Sequence, residues 1–269
     1  MSELLGPGLY DRAIGFALKA YVWLVVAFIA VPLLLIVSVS FTPERFLSFP
    51  PGGFSLQWYA EFADSRSWIA AFRTSLLIAF GTALVSTTIG GSLAYALDRY
   101  DYRTTTVMAG LGILPILLPP VIIGVAFFVF FLALGFTGSA WNVIVAHGIF
   151  YAPFPFLLIS QGLNELDRTF EEAAMNLGAS PVHTLRTITL PLISANVFSG
   201  ALFAFILSLN EYIIAWLLSG FVVRTIPIEI FTSLRYSYSP VIAAVSVVFI
   251  LLTVIVMVVV EHISGGLWQ

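Results

Sequence analysis

Polar and apolar positions are sorted into long blocks along this chain. No Asp, Glu, Lys or Arg lies between Lys19 and Glu44, between Arg73 and Asp98, between Arg186 and Glu211, or between Arg235 and Glu261; a longer gap runs from Arg103 to Glu165, with only His147 inside it. A helix rises ~1.5 Å per residue, so about 20 residues cross a ~30 Å hydrocarbon layer. Each short gap predicts one crossing. The long gap predicts two, with Gly135, Gly138 and Asn142 marking the break between them. The predicted spans are about 14–41, 71–97, 104–134, 141–162, 192–219 and 239–262. Backbone groups in lipid must pair within a helix or a closed barrel. Apolar runs of this length without two-residue alternation select helices. The expected fold is an all-α integral membrane protein with six transmembrane helices, one domain over 1–269. Pro115, Pro119 and Pro120 in the third span, and Pro153 and Pro155 in the fourth, read as kinks whose freed carbonyls neighbouring helices can satisfy.

Composition sharpens this picture. Of 269 residues, 60% are hydrophobic and 9% charged, against about 25% charged in a typical soluble domain. So little polar surface cannot clothe a water-soluble fold of this length, and lipid is the solvent that fits. The net charge of −3 with no basic run argues against a nucleic-acid partner. The absence of cysteine excludes disulfides and thiolate metal sites. The first apolar stretch is too long for a signal-peptide core and no small-residue cleavage site follows it, so it reads as a retained first helix. An N-terminus inside would place Arg12, Lys19, Arg99, Arg103, Arg168 and Arg186 in the cytoplasm, and Arg45, Arg66, Arg73, Arg224 and Arg235 outside. Six against five leaves the orientation to a motif rather than to charge.

The longest polar stretch between two spans runs from Gln161 to Pro191. Thr169-Phe170-Glu171-Glu172 has the spacing of a capping box. Phe170, Ala173, Ala174 and Leu177 then fall on one apolar face. Gly178 stands where a left-handed residue would end the helix. Ser180 and Pro181 suit the cap and first position of a second helix, which ends near Leu190-Pro191. Such a helix-turn-helix suits either docking against a soluble partner or packing on its own bundle.

The residues themselves decide between the two. Glu172-Ala173-Ala174, three residues, Gly178, nine residues, then Ile188-x-Leu190-Pro191 resembles the EAA loop of binding-protein-dependent ABC importer permeases. The resemblance implies a cytoplasmic coupling helix within a loop over 162–191, docked on an ATPase subunit. Glu171, Glu172, Ala173, Ala174, Gly178, Ala179 and Ser180 would form the coupling surface. It also implies a bacterial cytoplasmic (inner) membrane location, with both termini in the cytoplasm. The resemblance covers about 54–265. Within it, Gly200 to Gly220 looks like the fifth span of the PotC-like subunits of spermidine/putrescine permeases. There the centre usually reads Ser-Leu-Asp-Asp-Phe; here it is Ser208-Leu209-Asn210-Glu211-Tyr212, and Arg73-Thr74-Ser75-Leu76 replaces an Asn-Ser-Leu pattern. The implied partners are a second, homologous permease in a heterodimer, two ATPase subunits and an external binding protein, with membrane lipid around them. The implied substrate is a small cationic amine, a polyamine first and an aminophosphonate or other zwitterionic amine as the alternative.

Glu211 lies deep in an apolar span, where an ionised side chain costs roughly 2.5–3.5 kcal/mol on insertion scales. Such acids face the bundle interior or a water-filled path. Asn210, Tyr212 and Trp216 are its neighbours along the chain, and Tyr151 and Phe154 stand in the fourth span. A carboxylate among aromatic faces suits an organic ammonium. The competing role is a structural acid bonded to another helix or paired with Arg73. His147 reads as a structural residue bonding a neighbouring helix, and Phe127, Phe128, Phe130 and Phe131 as lipid and packing contacts.

No Gly-x-x-x-x-Gly-Lys-Ser/Thr phosphate loop is present, and Lys19 is the only lysine. The expectation is a permease that is not itself an enzyme, with ATP and magnesium held by partner subunits. An ion-coupled carrier would more often show inverted repeats and broken helices, and the sequence marks neither clearly. A membrane enzyme would need a catalytic constellation that no motif supplies.

Overall fold

The computed structural model describes residues 9–100, 104–219, 222–236 and 239–263. Arg103, Gly220 and the end of the resemblance at 265 lie outside them. The described residues are helical or irregular, with no strand. The chain divides into two units, Met1–Asp64 with Ser233–Phe249, and Ser65–Thr232 with Ile250–Gln269.

In the first unit α1 (Leu9–Ser40) is a long apolar helix whose span Ile14–Ser40 is almost wholly exposed, as suits a surface wetted by lipid. The segment after it folds onto α2 (Gln57–Asp64). Trp58 Nε1 donates to the Thr42 carbonyl at 2.6 Å, Tyr59 hydroxyl bonds Ser40 Oγ at 2.7 Å, and Phe41 stacks on Phe54 at 4.8 Å.

The second unit is built around α3 (Arg66–Arg99), which at ~1.5 Å per residue is about 51 Å long. Its inward stripe is mostly small: besides Trp68 and Ile78, the buried residues are Ala71, Ser75, Ala79, Thr82, Ser86, Gly90 and Ala94. Lipid supplies no hydrophobic drive between helices, so close approach of small residues is what holds them together. At Gly90 an added Cβ would sit 2.5 Å from the Ala152 carbonyl oxygen, so only glycine admits the neighbouring backbone there.

Three further crossings are bent rather than straight. α4 (Thr105–Leu117) and α5 (Pro120–Ala133) meet at 101°. The single kinked span expected over 104–134 is thus a break. Pro119 and Pro120 remove two successive donors, and Leu118, restricted by the proline after it, is extended at ψ 140°. α6 (Ala140–Phe150) and α7 (Pro153–Glu165) meet at 44° across Tyr151-Ala152. After α8 (Thr169–Asn176), α9 (Pro181–Thr184), a π-turn at Leu185–Thr189 and α10 (Leu190–Leu192), the chain turns by 74° into α11 (Ser194–Asn210). The fifth span, expected as one helix over 192–219, is interrupted again. α11 stops at Asn210 and α12 (Ile213–Ser219) follows after two non-helical residues. α13 (Ile226–Tyr236) and α14 (Val241–Ile263) complete the chain.

Among the described residues three helices are thus long and apolar enough to cross a membrane alone, and up to six spans result if each bent pair counts once. One core cluster joins Ile78 of α3, Ile144 and Phe150 of α6, Ala204 of α11 and Ile214 and Leu218 of α12. A second joins Ala94 of α3 to Phe156, Ile159 and Leu163 of α7. Phe131 is buried while Phe128 and Phe130 are exposed, so the aromatic run divides between packing and lipid.

Candidate functional site

Two constellations stand out, one in the loop after α7 and one at the interruption between α11 and α12. The loop is fixed to the far end of α3. Arg168 donates to the Asp98 carboxylate at 2.8 Å and to its backbone carbonyl at 3.1 Å. Glu171 is 2% exposed and accepts from Arg99 at 2.5 Å and from the Thr189 hydroxyl. Burial opposes ionisation of Glu171, but the bonds from Arg99 and Thr189 outweigh it and hold the carboxyl below its ordinary value.

The expected capping box does not form. Thr169 is the first helical residue, Arg168 is the cap position and supplies no side-chain cap bond. Asp167 does the capping instead, its carboxylate accepting from the Thr169 amide at 3.0 Å and hydroxyl at 2.8 Å, which lowers the Asp167 pKa. The end of α8 is as the sequence predicts. Gly178 has φ +93°, the Ala179 amide donates to the Ala174 carbonyl at 3.0 Å, and the Gly178 amide to Met175 at 2.9 Å. That pair of bonds is a Schellman motif. Ser180 then caps α9 by accepting from the His183 amide at 3.3 Å, with Pro181 in the first helical position.

Of the seven loop residues, Glu171 points inward and is an anchor. Glu172, Ala173, Gly178 and Ser180 are exposed, and Ala174 and Ala179 are half-buried. Phe170 at 57% and Leu177 at 91% exposure leave the predicted apolar face of α8 uncovered. Sequence reasoning missed Asp98, Arg99 and Arg168 as the other half of this anchor. Their placement at the charged end of one span and the start of the loop was the available signal.

At the second constellation Glu211 is extended (φ −77°, ψ 132°), ending α11. Its carboxylate reaches forward to α12: Oε1 accepts from the Ile214 amide at 2.8 Å and Oε2 from the Ala215 amide at 2.9 Å. The free amides and positive dipole end of a helix are a natural seat for an anion. Oε2 also lies 3.0 Å from His147 Nε2, and His147 Nδ1 lies 2.8 Å from Ser208 Oγ, which donates to Thr82 Oγ1 at 3.0 Å. The imidazole thus sits between the Ser208 hydroxyl and the Glu211 carboxylate, one ring nitrogen facing each. The group forms a hydrogen-bonded chain from α3 through α11 and α6 to α12.

The partner of Glu211 is therefore His147, and not Arg73. One acid in one apolar span and one histidine in another were the sequence signal for this pairing. Asn210 is exposed and donates its amide to the Ile206 carbonyl at 2.9 Å. Tyr212 stacks on Phe231 with centroids 4.2 Å apart and lies 6.4 Å from Trp216. Trp216 and Phe231 are 43% and 49% exposed, so this trio is an open aromatic ledge beside the interruption. Tyr151 is buried, its ring edge-on to His147 at 5.7 Å, and belongs to the wall behind the ledge.

Residues 86–269 match the family described as binding-protein-dependent transport system inner membrane component. The chain is 31% identical over 250 residues to the spermidine/putrescine transport system permease protein PotC of Haemophilus influenzae, covering 93% of this chain and 96% of that one. It is 34% identical over 227 residues to the putrescine transport system permease protein PotI of Escherichia coli, covering 81% and 80%. Among solved structures it resembles a bacterial ABC transporter involved in the import of the acidic polysaccharide alginate, with a TM-score of 0.75, 19% identity, and 96% and 99% of the two chains covered. That likeness concerns the fold. An apolar helical bundle with an EAA-type loop, matched over most of its length by transport permeases, belongs to the family of inner membrane components of binding-protein-dependent transport systems.

Proposed function

We propose that this chain is one half of the translocation pore of an ATP-driven importer for a small cationic amine, a polyamine such as spermidine or putrescine. The observation that carries the reading is the near full-length match to a spermidine/putrescine permease. The ledge of Tyr212, Trp216 and Phe231 supports it, since stacked aromatic faces attract organic ammonium groups. In this reading Asn210, Tyr212 and Trp216 meet the substrate. Glu211, hydrogen-bonded to His147, holds the ledge in place from behind.

Energy comes from two partner ATPases that carry ATP and magnesium. They dock on the uncovered face of α8 formed by Phe170, Ala173 and Leu177, with Glu172 beside it. The loop is then cytoplasmic, a homologous but non-identical permease completes the pore, and an external binding protein delivers substrate. Closure of the ATPases would move the loop, and the Asp98–Arg168 and Arg99–Glu171 pairs would carry that motion into α3.

The test is ATP-dependent uptake by the complete complex in proteoliposomes with its binding protein. Uptake of spermidine or putrescine is the expected result. Trp216→Ala should raise the amine concentration needed for half-maximal uptake by about two- to thirtyfold, since a cation–π contact is worth roughly 0.5–2 kcal/mol. A binding protein that ignores polyamines, together with no polyamine uptake, would reject the substrate assignment.

A further inference from the structure

At the end of α3 remote from Arg99, a cavity of about 570 Å³ opens between the first turns of that helix, the start of α6 and the segment joining α12 to α13. Two guanidinium groups line it, Arg73 and Arg224. Both residues are exposed. Arg224 gives one nitrogen to Glu229 at 3.1 Å. Arg73 has no hydrogen-bond or ion-pair partner among the described residues. The Arg73–Arg224 pair thus has one carboxylate between two cations, in a protein whose helices otherwise carry so few charges.

The rest of the lining divides by chemistry. Ser67 and Thr74 add hydroxyls, while Leu77, Ala140, Val222 and Val223 make apolar walls. Guanidinium groups present planar forks of donors that match tetrahedral oxyanions two oxygens at a time. An apolar wall beside them weakens the competing hydration and suits a ligand whose other end is greasy. The position also fits: Arg73 stands 26 residues from Arg99 along one helix, about 39 Å, and so lies at the opposite membrane face.

We propose that Arg73 and Arg224 form a binding site for a phosphate-type oxyanion at the membrane face opposite the α8 loop. The chemistry is shared by a phospholipid headgroup and by free phosphate. The site lies off the Glu211 constellation and does not depend on which substrate is carried.

The test uses the assembled, delipidated complex in detergent, followed by its thermal midpoint and by native mass spectrometry. Phosphatidylglycerol should bind and raise the midpoint, whereas diacylglycerol with the same chains should not. Arg73→Gln, which breaks no internal contact, should weaken phosphatidylglycerol binding at least tenfold without lowering the midpoint of the lipid-free complex. Arg73→Lys, keeping charge but losing the fork, should fall between. If inorganic phosphate alone gives an Arg73-dependent rise, the site holds and its ligand is the soluble ion. If the lipid response is the same in Arg73→Gln and Arg73→Gln/Arg224→Gln as in the unaltered complex, or if neither phosphate source binds, the proposal fails. Transport assays decide the function proposed above independently of this outcome.

Discussion

Glu211 illustrates how one intramembrane acid can be taken up by its own helix. Three hydrogen bonds use its two oxygens, and two of the three donors are backbone amides that the interruption after Asn210 would otherwise leave unpaired. The acid is therefore tied to the interruption: without the carboxylate, α12 would begin with bare amides in an apolar core. Glu211→Gln retains one acceptor but replaces the other carboxylate oxygen with an amide nitrogen, so at least one of the three donors loses its partner. Leaving a buried polar group without its hydrogen-bond partner costs roughly 1–3 kcal/mol, so the thermal midpoint of the assembled complex should fall by a few degrees. Replacing His147 by Gln in the same background should restore part of the loss, since residues in one network are coupled by about 0.5–3 kcal/mol. Thermal melts of the two single variants and the double variant measure this. Additive losses would show that His147 and Glu211 do not act as a pair. If Glu211→Gln instead kept full stability and lost only uptake per complex, the carboxylate would belong to the substrate and not to the fold.

Among the elements, those governed by local chemistry could be read from the sequence. The six apolar blocks, the turn at Gly178 and the Ser180-Pro181 start all depend on spacing or on one residue's backbone preference. The interruption at Glu211-Tyr212 could not be read this way, because no proline or glycine marks it. Ser-Leu-Asn-Glu-Tyr-Ile-Ile is compatible with continuous helix, and what ends α11 is a cap held by His147, 64 residues away in sequence. The capping box failed for a related reason: α8 already includes Thr169, and Asp167 supplies the cap that Thr169 was expected to give. These elements yield two predictions. Gly178 has open space around its α-carbon, so Gly178→Leu meets only the left-handed backbone cost of order 1 kcal/mol. The bundle should stay folded, with uptake lost because the turn beside the docking face is altered; full uptake with the ATPase bound would count against that role. Glu171→Gln should loosen α8 from α3, raising hydrogen exchange at residues 171–177 by about tenfold for a lost charge-assisted bond. The sign with pH follows from the depressed native pKa. The stabilisation is fully present above the unfolded value of about 4.3 and disappears as pH falls through the lower native value. The difference between Glu171→Gln and the unaltered chain should therefore shrink as pH falls through that lowered native value.

At the scale of the whole molecule the open issue is which way the bundle faces, and arginine counting leaves it undecided. The bundle itself supplies a sharper handle. The Arg99–Glu171 and Arg168–Asp98 pairs hold the α8 loop at one end of α3. Ser65 and Arg66 begin that helix about 51 Å away, more than the ~30 Å hydrocarbon layer, so as a membrane-crossing helix it puts its two ends in different aqueous compartments. If α8 receives an ATPase, its face is cytoplasmic and the Ser65 end is external. The chain contains no cysteine, so a single introduced thiol reports its own compartment without background. Leu177→Cys places one on the exposed tip of α8, and Ser67→Cys places one in the first turn of α3. With a membrane-impermeant maleimide, Ser67→Cys should label in intact cells and Leu177→Cys only in inside-out vesicles. Adding the partner ATPase should then protect Leu177→Cys and leave Ser67→Cys unchanged. The reverse pattern of labelling would invert the bundle and remove α8 from the ATPase, whatever the fate of the amine assignment.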